Sequence, residues 1–463
     1  MGGGLLQLVA YGAQDAYLSG NPQITFWKGL FKRHTNFAME PFRINLTGQA
    51  NWGVKHSALI GRHADLLYST YIEVVLPPGA VFNNDQYRLG YNLIKYVELD
   101  IGGQLIDRLY GEWLFLWDCL SSDVQTGLKL SKMVGMTDTS GIGDEVFTVP
   151  NPASCTVGSG RSPSPVVCYI PLNFFYTRNP GAALPLIALQ YHEVKINIEW
   201  NDVKFITSDF SNKSGYPKQP VQAAVYIDYI YLDTEERRRM AQNSHEYLIE
   251  QTQFNEDVGL TSAQNRVDLT FNHPVKELVW VIQQTRYTNC QLQTAYVAAN
   301  GLNSWGSNAT TRLQPFTYDI NPVYEQWLQI NGTDRMDGRY GDYYNKVQPY
   351  QHHTGSFQAI SDASTLGTVN DKNNATHFQK GAYMYSFALK PEEHQPSGTC
   401  NFSRIDTATL VVNFTGNDTS TGTNPNYYPL SVSETNPWNI RVYAVNYNIL
   451  RVMSGMGGLA YSN

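Results

Sequence analysis

Two pairs of acidic residues are spaced in a way that could do chemistry. Glu98 and Asp100 stand two apart in a run that reads as a strand, so both side chains share one face, and Asp107 and Glu112 follow close behind. Paired carboxylates on a β scaffold are the equipment of glycoside hydrolysis, one as acid and the other as base or nucleophile. Acids also decorate the wet faces and turns of antiparallel sheets, where they serve solubility alone. A repeat described below favours that second account, because it places Gln329 where the first copy has Asp100.

The histidines offer no metal spacing. His352 and His353 are adjacent, and on a strand they would face opposite ways; His56 and His63 lack an HxH partner, and His192 and His394 have no ligand pattern nearby. The stretch NGTDRMDGRYGD (331–342) is rich in oxygens but misses the EF-hand spacing, so it reads as a hairpin and its following turn rather than a calcium loop. No Ser-His-Asp elbow, phosphate-binding glycine loop or dinucleotide fingerprint occurs. The five cysteines, Cys119, Cys155, Cys168, Cys290 and Cys400, show no CxxC spacing, which suits free thiols in a reducing compartment. Neither a cofactor nor a metal is expected, and the chain is read as a non-enzyme.

The elements that carry these residues are strands. Leu66, Tyr68, Thr70, Ile72, Val74 and Leu76 alternate along one run that stops at Pro77-Pro78-Gly79. Val97, Leu99 and Ile101 alternate with Glu98 and Asp100, giving one buried and one wetter face. Leu269, Phe271, Leu278, Trp280 and Ile282 mark similar strands around His273-Pro274. Helical periodicity is scarce outside the N-terminus: EWLFLWDCL (112–120) and the charged DTEERRRMA (233–241) are the candidates. Long loops rich in Gly, Ser, Asn and Thr interrupt the strands at 136–165, 205–220, 300–313, 354–376 and 415–437.

The chain is written twice. LDIGGQLIDRLYGEW from Leu99 answers to LQINGTDRMDGRYGDYY from Leu328 with one insertion, and each copy centres on a two-residue turn, Gly102-Gly103 or Asn331-Gly332, that calls for positive φ. Residues 183–200 lie over 397–414 without a gap, and VYIDYIYL (225–232) over VYAVNYNIL (442–450) with one insertion. Short strands converge on Val, Ile and Tyr by propensity alone. Three pairs in the same order, offset by about half the chain, indicate duplication.

Composition agrees with two β domains that hide much of their exterior. Charged residues make up 16%, below the roughly 25% usual for soluble domains, while aromatics reach 13% with 31 Tyr. A chain that packs against neighbours can exchange Lys and Glu for Tyr, Asn and Thr. The net charge of -7 and the lack of a long basic run argue against direct nucleic-acid binding. No stretch of 18 apolar residues occurs, so no membrane-spanning helix is expected.

Many short antiparallel strands with long connections predict an all-β fold: two tandem eight-stranded antiparallel jelly rolls with short helices and long loops. The expected divisions are an N-terminal base segment (1–24), a first jelly roll (25–232), a short charged linker (233–245) and a second jelly roll (246–463).

Residues 2–38, GGGLLQLVAYGAQDAYLSGNPQITFWKGLFKRHTNFA, resemble the N-terminal signature of the major capsid proteins of nucleocytoplasmic large DNA viruses, the group of phycodnaviruses, marseilleviruses and their relatives. NFSRID (401–406) and VYAVNYNILRVMSGMGGLAYSN (442–463) resemble that family's C-terminal signature. The resemblance implies a double jelly roll that forms homotrimers with a near-hexagonal outline, tiles the icosahedral shell of a large double-stranded DNA virus, and meets neighbouring capsomers, minor capsid proteins and the internal viral membrane. It also implies assembly in the host cytoplasm and a place in the virion capsid.

On that reading Leu5, Leu6, Phe26, Trp27, Lys28, Leu30, Phe31, Lys32 and Arg33 form a base interface, with aromatics as anchors and cations toward acidic partners. The same aromatics could equally cover the bottom of the first barrel. Trp305, Tyr340, Tyr343, Tyr344, Tyr427 and Tyr428 are candidate exposed contacts for a glycan or receptor. A jelly-roll carbohydrate-binding or glycoside-processing protein is the alternative to a shell subunit.

Overall fold

The structure, a computed structural model, describes residues 2–27, 29, 31–76, 81–83, 89–134, 159–161, 166–202, 222–284, 323–359, 377–378, 381–414 and 437–461. Residues Met1–Ala38 form one compact unit and Met39–Asn463 a second. In the first unit, helices α1 (Gly3–Val9) and α2 (Asp15–Ser19) bury nothing. The Asp15 carboxylate accepts from the Gly12 N–H at 2.7 Å, and Asn21 takes a positive φ of 51° before Pro22.

The principal strands of the first half are β1 (Phe37–Asn45), β2 (Lys55–Ile60), β3 (Leu66–Leu76), β4 (Ile94–Ile101), β5 (Gln104–Tyr110), β6 (Val166–Pro171), β7 (Val194–Trp200) and β8 (Gln222–Leu232). They make two sheets, in the orders β1-β8-β3-β6 and β2-β7-β4-β5. The second half supplies β9 (His245–Leu260), β10 (Gln264–Asp268), β11 (Pro274–Gln284), β12 (Glu325–Ile330), β13 (Thr333–Asp334), β14 (Ala382–Ser386), β15 (Ala408–Asn413) and β16 (Trp438–Met453). Their orders are β9-β16-β11-β14 and β10-β15-β12-β13. Each strand of the second half therefore occupies the place of the strand eight earlier. This is the double jelly roll that the sequence predicts.

Both predicted hairpins form as read. Gly102 and Gly103 have φ of 62° and 85°, Asn331 and Gly332 of 49° and 73°, and the strands close as Ile101 opposite Gln104 and Ile330 opposite Thr333. The alternation in β3 sends Thr70, Ile72, Val74 and Leu76 inward, while Ser69, Tyr71, Glu73 and Val75 look outward. Leu269 and Phe271 are core residues, but they lie just beyond the end of β10 rather than within a strand. The two helices expected from the sequence are α3 (Gly111–Ser121) and α4 (Thr234–Gln242). The Asp233 carboxylate caps α4, and Arg237 reaches back to Asp65 at 3.0 Å, so the start of the segment between the halves is moored to the first.

Candidate functional site: the seam between the two barrels

Helix α3 is buried on every side: all residues from Trp113 to Leu120 are buried, and Asp118 is the single charged residue among them. Such a helix must be covered by two surfaces. One is its own barrel, where Gly111 fits against the Tyr91 and Ile94 carbonyls so closely that a Cβ would stand 2.2 to 2.3 Å from them. The other is the outer face of sheet β9-β16-β11-β14. Val279, Val281, Ala382, Met384, Tyr443 and Val445 belong to the apolar cluster of the first barrel, whereas their neighbours Leu278, Trp280, Val442 and Ala444 fill the second. That sheet is therefore buried on both faces. The Trp113 ring lies 5.5 Å from that of Tyr443, and the Gly355 N–H donates to the Leu120 carbonyl at 2.6 Å.

Three groups of polar residues are enclosed in this apolar seam. Glu112, opening α3, takes both arms of Arg441 at 2.7 Å and the Tyr443 hydroxyl at 2.5 Å, and Arg441 also donates to Gln283. Glu250 on β9 accepts from Arg178 of the first half and from Lys276 at 2.7 Å, and the Arg178 guanidinium lies 4.3 Å over the Trp117 ring. Burial alone would raise the Glu250 carboxyl, but Arg178 and Lys276 outweigh it and hold the group below its ordinary range. His353, edge-on to Trp117, bonds Glu277 through Nε2 and Glu392 through Nδ1, both at 2.8 Å. Burial would lower its pKa, yet the two carboxylates, Glu277 foremost, push it up to about 9, so it stays an imidazolium at neutral pH.

The seam also closes an open sheet edge. Strand β9 ends its sheet, and the Asp107 carboxylate from β5 accepts its Thr252 N–H at 3.0 Å while Gln251 donates back to the Ile106 carbonyl. Burial raises Asp107 to about 7 against the opposing bonds from the Thr252 and Arg108 N–H groups.

The residues singled out in the sequence fall as follows. Glu98 is not on a wet face: it is 5% exposed, because Arg108 from the flanking strand β5 and Lys55 from β2, two strands away, close over it at 2.6 and 2.5 Å. Asp107 and Glu112 serve the seam. His352 and His353 end a helix rather than alternate on a strand, which is what lets His353 turn inward. Tyr344 is no exposed contact. It is 2% exposed and donates to the Gln326 carbonyl, because the helical phase of 341–352 turns it onto Trp280. Tyr340 is exposed and Tyr343 half-buried. Leu5, Leu6, Phe26, Trp27 (82% exposed), Phe31, Lys32 and Arg33 are all exposed. Lys28, Leu30, Trp305, Tyr427 and Tyr428 lie outside the described residues. Arg178, Glu250, Lys276 and Arg441 carry no sequence signal of their own; the signal available was α3, whose largely apolar run EWLFLWDCL demands a second covering surface.

Comparison with known proteins gives the fold its context. Residues 25–233 match the family described as the major capsid protein N-terminus, and 236–359 with 373–458 match the large eukaryotic DNA virus major capsid protein. The chain is 44% identical over 466 residues to the major capsid protein of Pyramimonas orientalis virus and 39% identical over 484 residues to that of Paramecium bursaria Chlorella virus 1, covering each protein completely. Among solved structures it superposes on PBCV-1 VP54 with a TM-score of 0.72 at 35% identity, over 95% of this chain and 100% of that one. The Faustovirus major capsid protein shares the fold at a TM-score of 0.63 and 11% identity, over 96% of this chain and 94% of that one. With the duplicated barrels and their sealed seam, these matches establish that the chain belongs to the major capsid protein family of large eukaryotic DNA viruses.

Proposed function

We propose that this capsid protein works as a homotrimer whose six barrels form a near-hexagonal capsomer, and that such capsomers tile the viral shell. The observation that carries the reading is the seam. Inside one chain, two halves of the same topology meet through different faces: the helix and hairpin of the first against the outer sheet of the second. A head-to-tail contact between like units leaves one copy of each face open, and repetition at about 60° per barrel closes into a ring of six. Six like barrels supplied two at a time make three chains. Light scattering is expected to give a particle three times the 52.1 kDa chain, and negative-stain images six lobes. A stable monomer at micromolar concentration would refute it.

The divisions at 1–24, 25–232, 233–245 and 246–463 belong to the same reading. So does a base role for the N-terminal segment, in which Leu5, Leu6, Phe26, Trp27 and Phe31 anchor on neighbouring subunits, minor capsid proteins or the internal membrane while Lys28, Lys32 and Arg33 meet acidic groups, with Leu30 among the anchors. The exposure of the described anchors supports this. Deletion of residues 2–24 is expected to leave trimers intact and to impair particles; normal particles would end the idea. Assembly in the host cytoplasm accords with the free thiols of Cys119, Cys168 and Cys400.

A further inference from the structure

We infer that the tyrosine-bearing outer face of sheet β1-β8-β3-β6 is the socket for the helical stretch 341–352 of a second copy of this chain. The inference rests on the ring reading above and names the two faces that would meet.

The duplication itself supplies the register. Tyr226 of β8 stands opposite Tyr71, and its counterpart Tyr443 of β16 stands opposite Val279. One step along, Glu73 pairs with Tyr169, and Val281 pairs with Ala382. Tyr71, Glu73, Tyr169 and Tyr226 therefore occupy the positions of Val279, Val281, Ala382 and Tyr443. The second set is fully buried beneath the first barrel and α3, whereas in the first set Tyr169 is 38% exposed and the others are half-buried. The open set is nonetheless organised. Tyr71 stacks on Tyr226 at 5.2 Å with the rings nearly parallel, and Tyr169 meets Tyr71 edge-on at 6.0 Å. Glu73 accepts from the neutral amide of Gln222 at 3.0 Å.

The other half of the contact is equally marked. Aligned on Gly111 and Gly341, the buried stripe Trp113, Leu116, Trp117 and Leu120 of α3 becomes Tyr343, Lys346, Val347 and Tyr350. These four are the half-buried or exposed positions of the stretch, set apart from the buried Tyr344, Asn345, Gln348 and Pro349. In α3 that stripe is sealed in the seam; in the second half Val347 is 39% and Tyr350 87% exposed. The charges pair through other positions, since Glu112 answers to Asp342 and Arg441 to Ala224. Within the chain the helix contributes an acid, Glu112, and the sheet a cation, Arg441. Across chains the helix side would present Lys346 and Arg339, the latter 4.5 Å over Tyr343, to Glu73 and Asp228 on the sheet.

Paired cysteines test the placement. In a Tyr226→Cys/Tyr343→Cys double variant, whose counterparts Tyr443 and Trp113 lie 5.5 Å apart within the chain, made in a background with the five native cysteines replaced, oxidation or a short bismaleimide is expected to yield a covalent three-chain species on a denaturing gel, while each single variant runs as one chain. Noncovalent trimers by light scattering without that band would overturn the socket and leave the ring reading standing; the absence of any three-chain particle would overturn both. A charge exchange adds a second reading. Glu73→Lys is expected to weaken trimer association about tenfold or more, and the combined Glu73→Lys/Lys346→Glu variant to recover most of it. An unchanged unfolding midpoint certifies that each variant is folded, and equal weakening in the combined variant would count against the pairing.

Discussion

From Leu99 to Glu112 the chain makes a hairpin and enters a helix buried on all sides; from Leu328 to Asp342 it repeats the hairpin and enters a helix open along one face. The turn geometry is the same in both. What differs is the cover. Glu112 is clasped by Arg441 inside the seam, whereas Asp342 pairs with Lys346 one turn away on the surface. Local sequence thus sets the hairpin, and the cover within the chain decides its flanks: Trp117 and Leu120 are sealed beneath the second barrel, while Val347 and Tyr350 face outward.

The largest expected break in this comparison is Arg441→Ala, which strands Glu112 in the seam. It is expected to cost about 3 to 5 kcal/mol by denaturant unfolding, because an uncompensated charge is left buried. Next comes His353. Its folded pKa of about 9 lies above the usual 6.5, so its stabilisation is complete below pH 6.5 and is lost as pH rises through 9. His353→Gln is expected to flatten that loss, worth about 3 kcal/mol between pH 6.5 and 9.5, as read by unfolding midpoints across the range. Gly103→Ala and Gly332→Ala should each cost about 1 to 2 kcal/mol for forcing a side chain into positive φ. Similar values for the two would sharpen the case for one hairpin used twice, and a marked inequality would break it. At the small end, Lys346→Ala and Tyr350→Ala should change the stability of the isolated chain by no more than about 0.5 kcal/mol, since an exposed pair and an exposed ring contribute little there.

The hairpins, the strand faces and the duplication were legible because each is a local pattern: alternation of period two, a two-residue turn that needs positive φ, and strings repeated in order. The seam was not, because its bonds join residues far apart, Glu112 to Arg441 and Arg178 to Glu250, and no local pattern encodes such a partner. Glu98 shows the same limit at shorter range. Alternation correctly set its face of the strand, but Arg108 from the neighbouring strand and Lys55 from the strand beyond the other neighbour made that face dry. Tyr344 was misread for a different reason. YGDYYNK looks like a strand end, yet it opens a helix with a π-helical turn at Tyr343–Val347, and that phase points Tyr344 inward.

Helix α4, capped by Asp233 and moored by Arg237 to Asp65, fastens one barrel to the next within a single polypeptide. Tethering of this kind fixes an effective concentration on the order of millimolar, independent of how much protein is present. The seam between barrels can therefore form in a lone, newly made chain, and dilution cannot undo it. Only contacts between separate chains remain answerable to supply.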